Sequence, residues 1–181
     1  MSPIFVRPVR EQLEHDRLIR FLTAKYKRKF DVAANVGDQL VSPVKIGTAT
    51  FFPDLVLTSG KKLAGLVEVE SGESVNNLEA MAQWVHFSRS RAPFYLYVPV
   101  PVYDAARRLC EANDARVTEI WTYRPAPDGF DLVRMFHESS AGTSRRASKA
   151  KGSKPVRKRA RSATTASKSR SSKAARKAKK R

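Results

Sequence analysis

The stretch FFPDLVLTSGKKLAGLVEVESGES, residues 51–74, decides the fold because it contains two apolar runs joined by a polar turn. β-Branched and aromatic residues are frequent in both runs, and Ser-Gly-Lys-Lys is a turn signal. Residues 50–58 and 63–70 are therefore predicted to form a β-hairpin. The runs also contain Asp54, Glu68 and Glu70. A desolvated carboxylate is costly unless a partner compensates it, so these three acids need an explanation.

Strand geometry predicts that Asp54, Glu68 and Glu70 lie close together. Successive side chains of a strand point to opposite faces, so Leu66, Glu68 and Glu70 share one face, and in-register pairing brings Asp54 near them. Three carboxylates on a half-buried face repel one another unless a cation neutralises them or their pKa values rise. Mg²⁺ is held by one or two carboxylates together with waters and phosphate oxygens. A metal site is one interpretation; the other places Glu68 and Glu70 on a solvated face, with Asp54 capping a turn.

Helical and extended patterns alternate on both sides of the hairpin. Residues 9–30 are predicted to form a helix, and the residues from 31 up to the turn one or two strands. Asn76 is a candidate N-cap with Glu79 three residues on. The helix that follows has an apolar stripe at helical spacing, made of Leu78, Met81, Ala82 and Val85.

The rest of the body continues this alternation. PFYLYVPV (93–100) is predicted to be a buried strand and VYDAARRLCEANDA (102–115) an amphipathic helix. Two further strands are predicted around the turn PAPDG (125–129). Strands alternating with helices favour a mixed α/β sheet covered by helices on its faces.

Charge is divided very unevenly along the chain. The sequence has 35 Lys or Arg and 17 Asp or Glu, and residues 141–181 hold 17 of the cations and none of the acids. This segment has almost no large apolar side chain, so it cannot bury enough surface to offset the entropy of ordering. We expect a folded domain over residues 1–137 and a disordered basic tail over residues 138–181.

The tail is predicted to bind nucleic acid. Each cation that neutralises a phosphate releases counterions, which gives sequence-independent binding with steep salt dependence. The tail resembles the basic C-terminal arms of bacterial histone-like proteins and linker histones, which implies DNA as the partner, with RNA an open alternative. The absence of aromatic residues argues against a membrane partner. The predicted contacts are Arg145, Arg146, Lys149, Lys151, Lys154, Arg157, Lys158, Arg159, Arg161, Lys168, Arg170, Lys173, Arg176, Lys177, Lys179, Lys180 and Arg181.

Other classes of protein are disfavoured. A single cysteine, Cys110, excludes an intramolecular disulfide framework and a cysteine-rich zinc site, and a buried apolar role is expected for it. The N-terminus has no apolar signal-peptide core, and no run approaches the length of a membrane span. A cytoplasmic, nucleoid-associated protein is expected; the oligomeric state is open.

Pro53-Asp54 followed by Glu68-Val69-Glu70, on consecutive strands between two helices, resembles the PD-(D/E)XK nuclease superfamily with its restriction-endonuclease-like fold. The similarity covers roughly residues 10–125. It extends to Gln83 on the following helix. The Glu-Val-Glu ending of the second strand is similar to the strand ending in a group of uncharacterised bacterial nuclease-like proteins. The resemblance implies a mixed central sheet flanked by helices.

The resemblance also implies site residues. Asp54 and Glu68 would hold a catalytic Mg²⁺ or Mn²⁺, with the backbone carbonyl of Val69 as a further ligand. Glu70 replaces the usual lysine, and would act as a base, bind a second metal, or mark a site that has lost activity. Gln83 would be a fourth catalytic residue, although its spacing points away from the apolar stripe.

Two further alternatives stay open. Glu11 or Glu14 on the first helix would supply an additional acid, or lie on a solvated helix face. His15 would contact phosphate, or be a surface or satisfied residue. Function then divides between a Mg²⁺-dependent DNA nuclease and a non-enzymatic, histone-like DNA-binding protein built on an inactive nuclease fold.

Overall fold

The computed structural model describes residues 8–37 and 40–138. Its helices are α1 (Val9–Tyr26), α2 (Asn77–Glu79), α3 (Val85–Phe87) and α4 (Tyr103–Ala112), with a π-helical segment at Ala80–Trp84 and a 3₁₀ turn at Val100–Val102. Its strands are β1 (Asp31–Ala34), β2 (Val44–Ile46), β3 (Ala49–Phe51), β4 (Leu55–Ser59), β5 (Lys62–Val69), β6 (Phe94–Pro99), β7 (Glu119–Ala126) and β8 (Gly129–His137).

The main sheet is mixed and has six strands in the order β1-β4-β5-β6-β7-β8. β5, β6 and β7 run parallel to one another, and the other pairs are antiparallel. β2 and β3 form a separate antiparallel pair. The mixed α/β class and the hairpin β4–β5 are thus confirmed, with Leu55 opposite Val67.

Two hydrophobic clusters cover the two faces of this sheet. On one face, Leu18, Ile19 and Leu22 of α1 pack against residues that include Leu57 and Val67. On the other face the cluster includes Trp84, Phe87, Ala106 and Cys110 from the helices and Leu66, Phe94 and Leu96 from the strands. The helices therefore flank the sheet as predicted.

Three predicted element boundaries are wrong. Residues 50–58 are not one strand: β3 ends at Phe51, β4 begins at Leu55, and Pro53 lies in the break, since proline cannot donate a ladder hydrogen bond. The residues between the first helix and the turn form four strands, not one or two. α1 ends at Tyr26, whose carbonyl accepts the N–H groups of both Lys29 and Phe30.

The apolar stripe predicted after Asn76 is also wrong. Leu78 and Met81 are 48% and 55% exposed, whereas Ala80, Trp84 and Phe87 are buried. The buried residues Ala80, Trp84 and Phe87 are themselves spaced i, i+4 and i+7, so the helical period was right and the face assigned to the core was wrong. The N-cap is confirmed, because the Asn76 side chain accepts the Glu79 N–H at 3.0 Å.

The terminal hairpin gives a stability prediction. Gly129 has φ +138°, and a Cβ built on it would lie 2.7 Å from Cε2 of Phe21. Gly129→Ala is expected to lower the free energy of unfolding by about 2 kcal/mol, through strain and a clash with a packed ring. Gly72→Ala, where no atom lies within 4 Å of the added Cβ, is the control. Urea unfolding measures both variants; equal midpoints would contradict this account of the turn.

Cys110 is buried and makes no disulfide, as expected. Burial raises the pKa of its thiol to about 12. We expect iodoacetamide at pH 8 to modify the folded protein far more slowly than the protein in urea, because the thiolate is the nucleophile. The neutral thiol's contribution to stability is complete below the ordinary thiol pKa of 9.0 and is lost as pH rises toward about 12. Rapid, complete labelling without denaturant would contradict the burial of Cys110.

No helix in residues 8–37 or 40–138 is long and apolar enough to cross a membrane. The last described residue, Glu138, follows β8 directly. The predicted disorder of the tail, and the predicted contacts of its Lys and Arg side chains with nucleic acid, concern residues outside the described ranges.

Candidate functional site

Asp54 and Glu68 come together where β4 begins and β5 approaches its end. The Asp54 N–H donates to Oε2 of Glu68 at 3.2 Å, and Oδ2 of Asp54 accepts the Val69 N–H at 2.7 Å. Both acids are buried, at 9% and 4% exposure. The hairpin register therefore brings together the two carboxylates for which the sequence predicts a shared role.

His15 on α1 contacts the Asp54 carboxylate from the helix side. Its Nε2 lies 3.3 Å from Oδ2 of Asp54, and its Nδ1 lies 3.2 Å from Oδ1 of Asp16. Gln12 fixes Asp16 in turn, with Nε2 to Oδ1 at 2.7 Å. His15 is buried, and of its two predicted roles the structure gives it that of a satisfied residue. Two carboxylates on opposite ring nitrogens hold the imidazole in one orientation.

Asn35, directly after β1, supports the site and was not singled out from the sequence. Its N–H donates to the Asp54 carbonyl at 2.9 Å, and its Nδ2 donates to the Pro53 carbonyl at 2.7 Å. Its Oδ1 accepts the N–H groups of Val41 and Ser42, each at 2.9 Å. One amide thus fixes the break between β3 and β4. Asn in a loop with Gly is a turn signal, but it does not specify this partner.

Glu70 lies fully buried just after β5, against the helical segment. Its Oε1 accepts the indole N–H of Trp84 at 2.8 Å, and its Oε2 accepts the Ser74 hydroxyl in a short hydrogen bond. Its backbone carbonyl accepts the Tyr123 hydroxyl at 2.8 Å. The interpretation that Glu68 and Glu70 lie on a solvated face is wrong. The hydrogen bonds from Trp84 and Ser74 give the Glu70 carboxylate a structural role.

Gln83 is half-buried in the π-helical segment, and its Nε2 donates to Oε1 of Glu79. This hydrogen bond stays within the helix. Since the predicted stripe was misplaced, the objection drawn from it no longer applies to Gln83, and its catalytic role stays a prediction.

Glu11 and Glu14 lie beside the same end of the sheet. They line a cavity of about 190 Å³ with Ser71, Gly72, Pro99, Pro101, Val102 and Tyr123. Oε2 of Glu11 is buried and has no hydrogen-bond partner among the described residues. Glu11 and His15 are four residues apart and share a face of α1, so Glu11 projects from the same side as the residue that contacts Asp54. For this oxygen, the solvated-face alternative is wrong.

The carboxylate oxygens of Asp54 and Glu68 are the type of ligand that a hard divalent cation prefers. Two adjacent carboxylates match the way Mg²⁺ is bound, with waters and substrate oxygens completing its shell. The buried, unpartnered oxygen of Glu11 belongs to an adjoining cavity whose lining includes neither Asp54 nor Glu68. Within residues 8–37 and 40–138, however, no three His, Cys, Asp or Glu side chains are grouped closely enough to hold a metal by themselves. Waters, backbone or substrate would have to supply the remaining ligands of a cation bound by Asp54 and Glu68.

No protein-family model, curated protein or solved structure matches this chain.

Proposed function

We propose that this protein is a DNA-associated, nuclease-like protein in which Asp54 and Glu68 bind Mg²⁺ or Mn²⁺ for phosphodiester hydrolysis. The observation that carries the proposal is the 3.2 Å contact between the Asp54 N–H and the Glu68 carboxylate across the β4–β5 hairpin. The restriction-endonuclease-like fold is part of the same proposal.

The order of elements supports it. The chain runs from α1 into the antiparallel strands β1, β4 and β5, then through the helical segment that starts at Asn77, and into β6 parallel to β5. The PD-(D/E)XK resemblance implies this same succession of a helix, a meander, a helix and a strand. The small pair β2–β3 is inserted between β1 and β4.

Each residue has a distinct part in the proposed chemistry. A bound divalent cation would polarise the scissile phosphate and lower the pKa of an attacking water. Asp54 and Glu68 supply carboxylate oxygens; the Val69 N–H and His15 orient Asp54 through Oδ2. Glu11 would accept a hydrogen bond from an ordered water in the adjoining cavity. The basic tail would hold the substrate by its phosphates.

The environment of Glu70 favours a second candidate function. The position that holds lysine in the resemblance carries a carboxylate bound to Trp84 and Ser74. Both oxygens of this carboxylate accept hydrogen bonds that tie the helical segment to the sheet, which favours a structural role for Glu70 over a catalytic one. The second candidate is accordingly a non-enzymatic DNA-binding protein, in which the body is an inactive nuclease relative and the tail compacts DNA.

Plasmid cleavage tests the first function and separates it from the second. The full-length chain is incubated with supercoiled plasmid at low salt, with Mg²⁺ or Mn²⁺. Nicked and linear products are expected. A protein truncated after residue 140 should still cleave the plasmid, but should bind DNA with lower affinity. A compaction protein would instead give no products with either metal and would lose its DNA shift on truncation.

A further inference from the structure

Cationic side chains of the folded body gather at one end of the six-stranded sheet. β5, β6 and β7 are parallel and begin at this end, while β4 and β8 run the other way and finish there. β1 begins there too, directly after the turn that follows α1. We call this the basic end, and define it by residues 27–31, 59–62, 88–94, 113–119 and 137–138.

Three of these segments supply most of the charge. Lys27, Arg28 and Lys29 follow α1 in direct succession, and all three are exposed. Lys61 and Lys62 are exposed at the tip of the β4–β5 hairpin. Neighbouring strands are about 4.8 Å apart, so the hairpin tip lies close to the start of β1 and hence to the turn after α1.

The next two strands extend the same surface. Arg89 and Arg91 are exposed before β6, and Arg116 is exposed before β7. The basic end thus carries eight cationic residues and four acids. One of those acids, Glu119, is already ion-paired with Arg134 at 2.9 Å. Within the described residues, none of the eight cations forms an ion pair.

The opposite end of the sheet has the opposite character. Asp54, Glu68 and Glu70 lie there, with Glu11 and Glu14 in the first turns of α1. The eight exposed cations and these acids therefore lie at opposite ends of the strands. An unneutralised row of exposed cations attracts a polyanion and repels a second copy of the same surface.

We infer that the basic end is a second nucleic-acid interface, which adds contacts to the phosphate backbone beyond those of the tail. The chain passes through this end at Glu138 and continues into a segment with 17 cations. Because the two sets of cations belong to one chain, binding of a duplex by one raises the effective concentration of the other. The inference rests on the proposed contact with nucleic acid, but not on hydrolysis.

The position of this interface bears on the two candidate functions. A nucleic-acid backbone bound at the basic end lies at the opposite end of the strands from Asp54 and Glu68. A nuclease would have to contact its substrate at both ends of the sheet, or act on a separate strand. A DNA-packaging protein would need only the tail and the basic end.

Neutralising pairs of lysines or arginines in the full-length chain tests the inference. Lys27→Gln/Lys29→Gln and Arg89→Gln/Arg91→Gln remove two charges each from the basic end, and Lys45→Gln/Arg108→Gln removes two exposed charges elsewhere. Binding to a 25-base-pair duplex is measured by anisotropy over a range of salt concentrations. The slope of log K against log salt should fall by about 1.8 for each basic-end variant, because each lost phosphate contact removes about 0.9. The control slope should stay near that of the wild type.

Each outcome has a definite meaning. Equal slopes for the basic-end and control variants would overturn the inference while leaving tail binding intact. If the wild-type chain binds no duplex, the nucleic-acid part of the proposed function fails as well. A parallel arm uses anionic phospholipid vesicles: loss of vesicle binding with unchanged duplex binding would replace nucleic acid with a membrane surface. All these positions are exposed, and thermal unfolding confirms that each variant is folded.

Discussion

Glu70→Ala is expected to lower the free energy of unfolding by about 3 kcal/mol. The substitution leaves the Trp84 indole N–H and the Ser74 hydroxyl without the acceptor they use now. Each buried donor left unsatisfied costs about 1–3 kcal/mol. The helical segment after Asn76 should loosen first, because Trp84 anchors it to the sheet. Urea unfolding followed by tryptophan fluorescence measures the change.

Two further variants serve as controls for Glu70→Ala. Glu73→Ala, an exposed acid three residues away, should leave the unfolding midpoint unchanged. Glu70→Gln keeps one carbonyl acceptor, and should lose roughly half as much stability as the alanine variant. If the alanine variant is as stable as the wild type, Glu70 does not hold the helix.

Glu70→Lys separates a structural role for this position from a catalytic one. The change restores the residue that the PD-(D/E)XK resemblance implies. A lysine ammonium offers only donors, so it would face two further donors in a fully buried position. We expect a destabilised protein with no gain in cleavage. A stable Glu70→Lys variant with faster cleavage would contradict the structural role.

Asp54→Asn is expected to lower metal-dependent DNA cleavage at least about 100-fold, a loss typical of groups that stabilise transition-state charge. The amide can still accept the Val69 N–H through its oxygen, so the β4–β5 hairpin should remain folded. The change removes the negative charge that a divalent cation requires. Initial rates of plasmid nicking in Mn²⁺ measure the loss.

Asp131→Asn is the control for Asp54→Asn. It makes the same chemical change at an exposed carboxylate that pairs with Arg124, on the terminal hairpin. Its nicking rate should equal that of the wild type. Equal rates for Asp54→Asn and Asp131→Asn would show that any cleavage arises at another site or from a contaminant.

The sequence predicted the parts of the fold that depend on local chemistry. The Ser-Gly-Lys-Lys turn, the Asn76 cap and the hairpin at Gly129 each follow from residues with strong conformational preferences, and each was confirmed. The stripe Leu78, Met81, Ala82 and Val85 failed because the helix has a second face at helical spacing, and it is that face, with Ala80, Trp84 and Phe87, that is buried. Which face meets the core depends on where Trp84 packs, and this is tertiary information.

The candidate site was also predicted only in part, because local strand geometry determines some of its contacts and tertiary packing the others. Strand alternation and the length of the turn were enough to bring Asp54 and Glu68 together. They did not predict that Glu70 turns to Trp84, because that hydrogen bond crosses from the sheet to a helix fourteen residues later. Asn35 and Asp16 were missed, since their roles come from contacts that no local pattern encodes.

Thermal unfolding of the full-length chain with increasing Mn²⁺ tests the central claim most directly. A site that binds metal only in the native state stabilises the fold by about 2.7 kcal/mol at one hundred times the Kd. The account predicts a saturable rise in Tm for the wild type and for Asp131→Asn, and no rise for Asp54→Asn. A rise of equal size in Asp54→Asn, or none in the wild type, would contradict the assignment of Asp54 and Glu68 as a divalent-cation site.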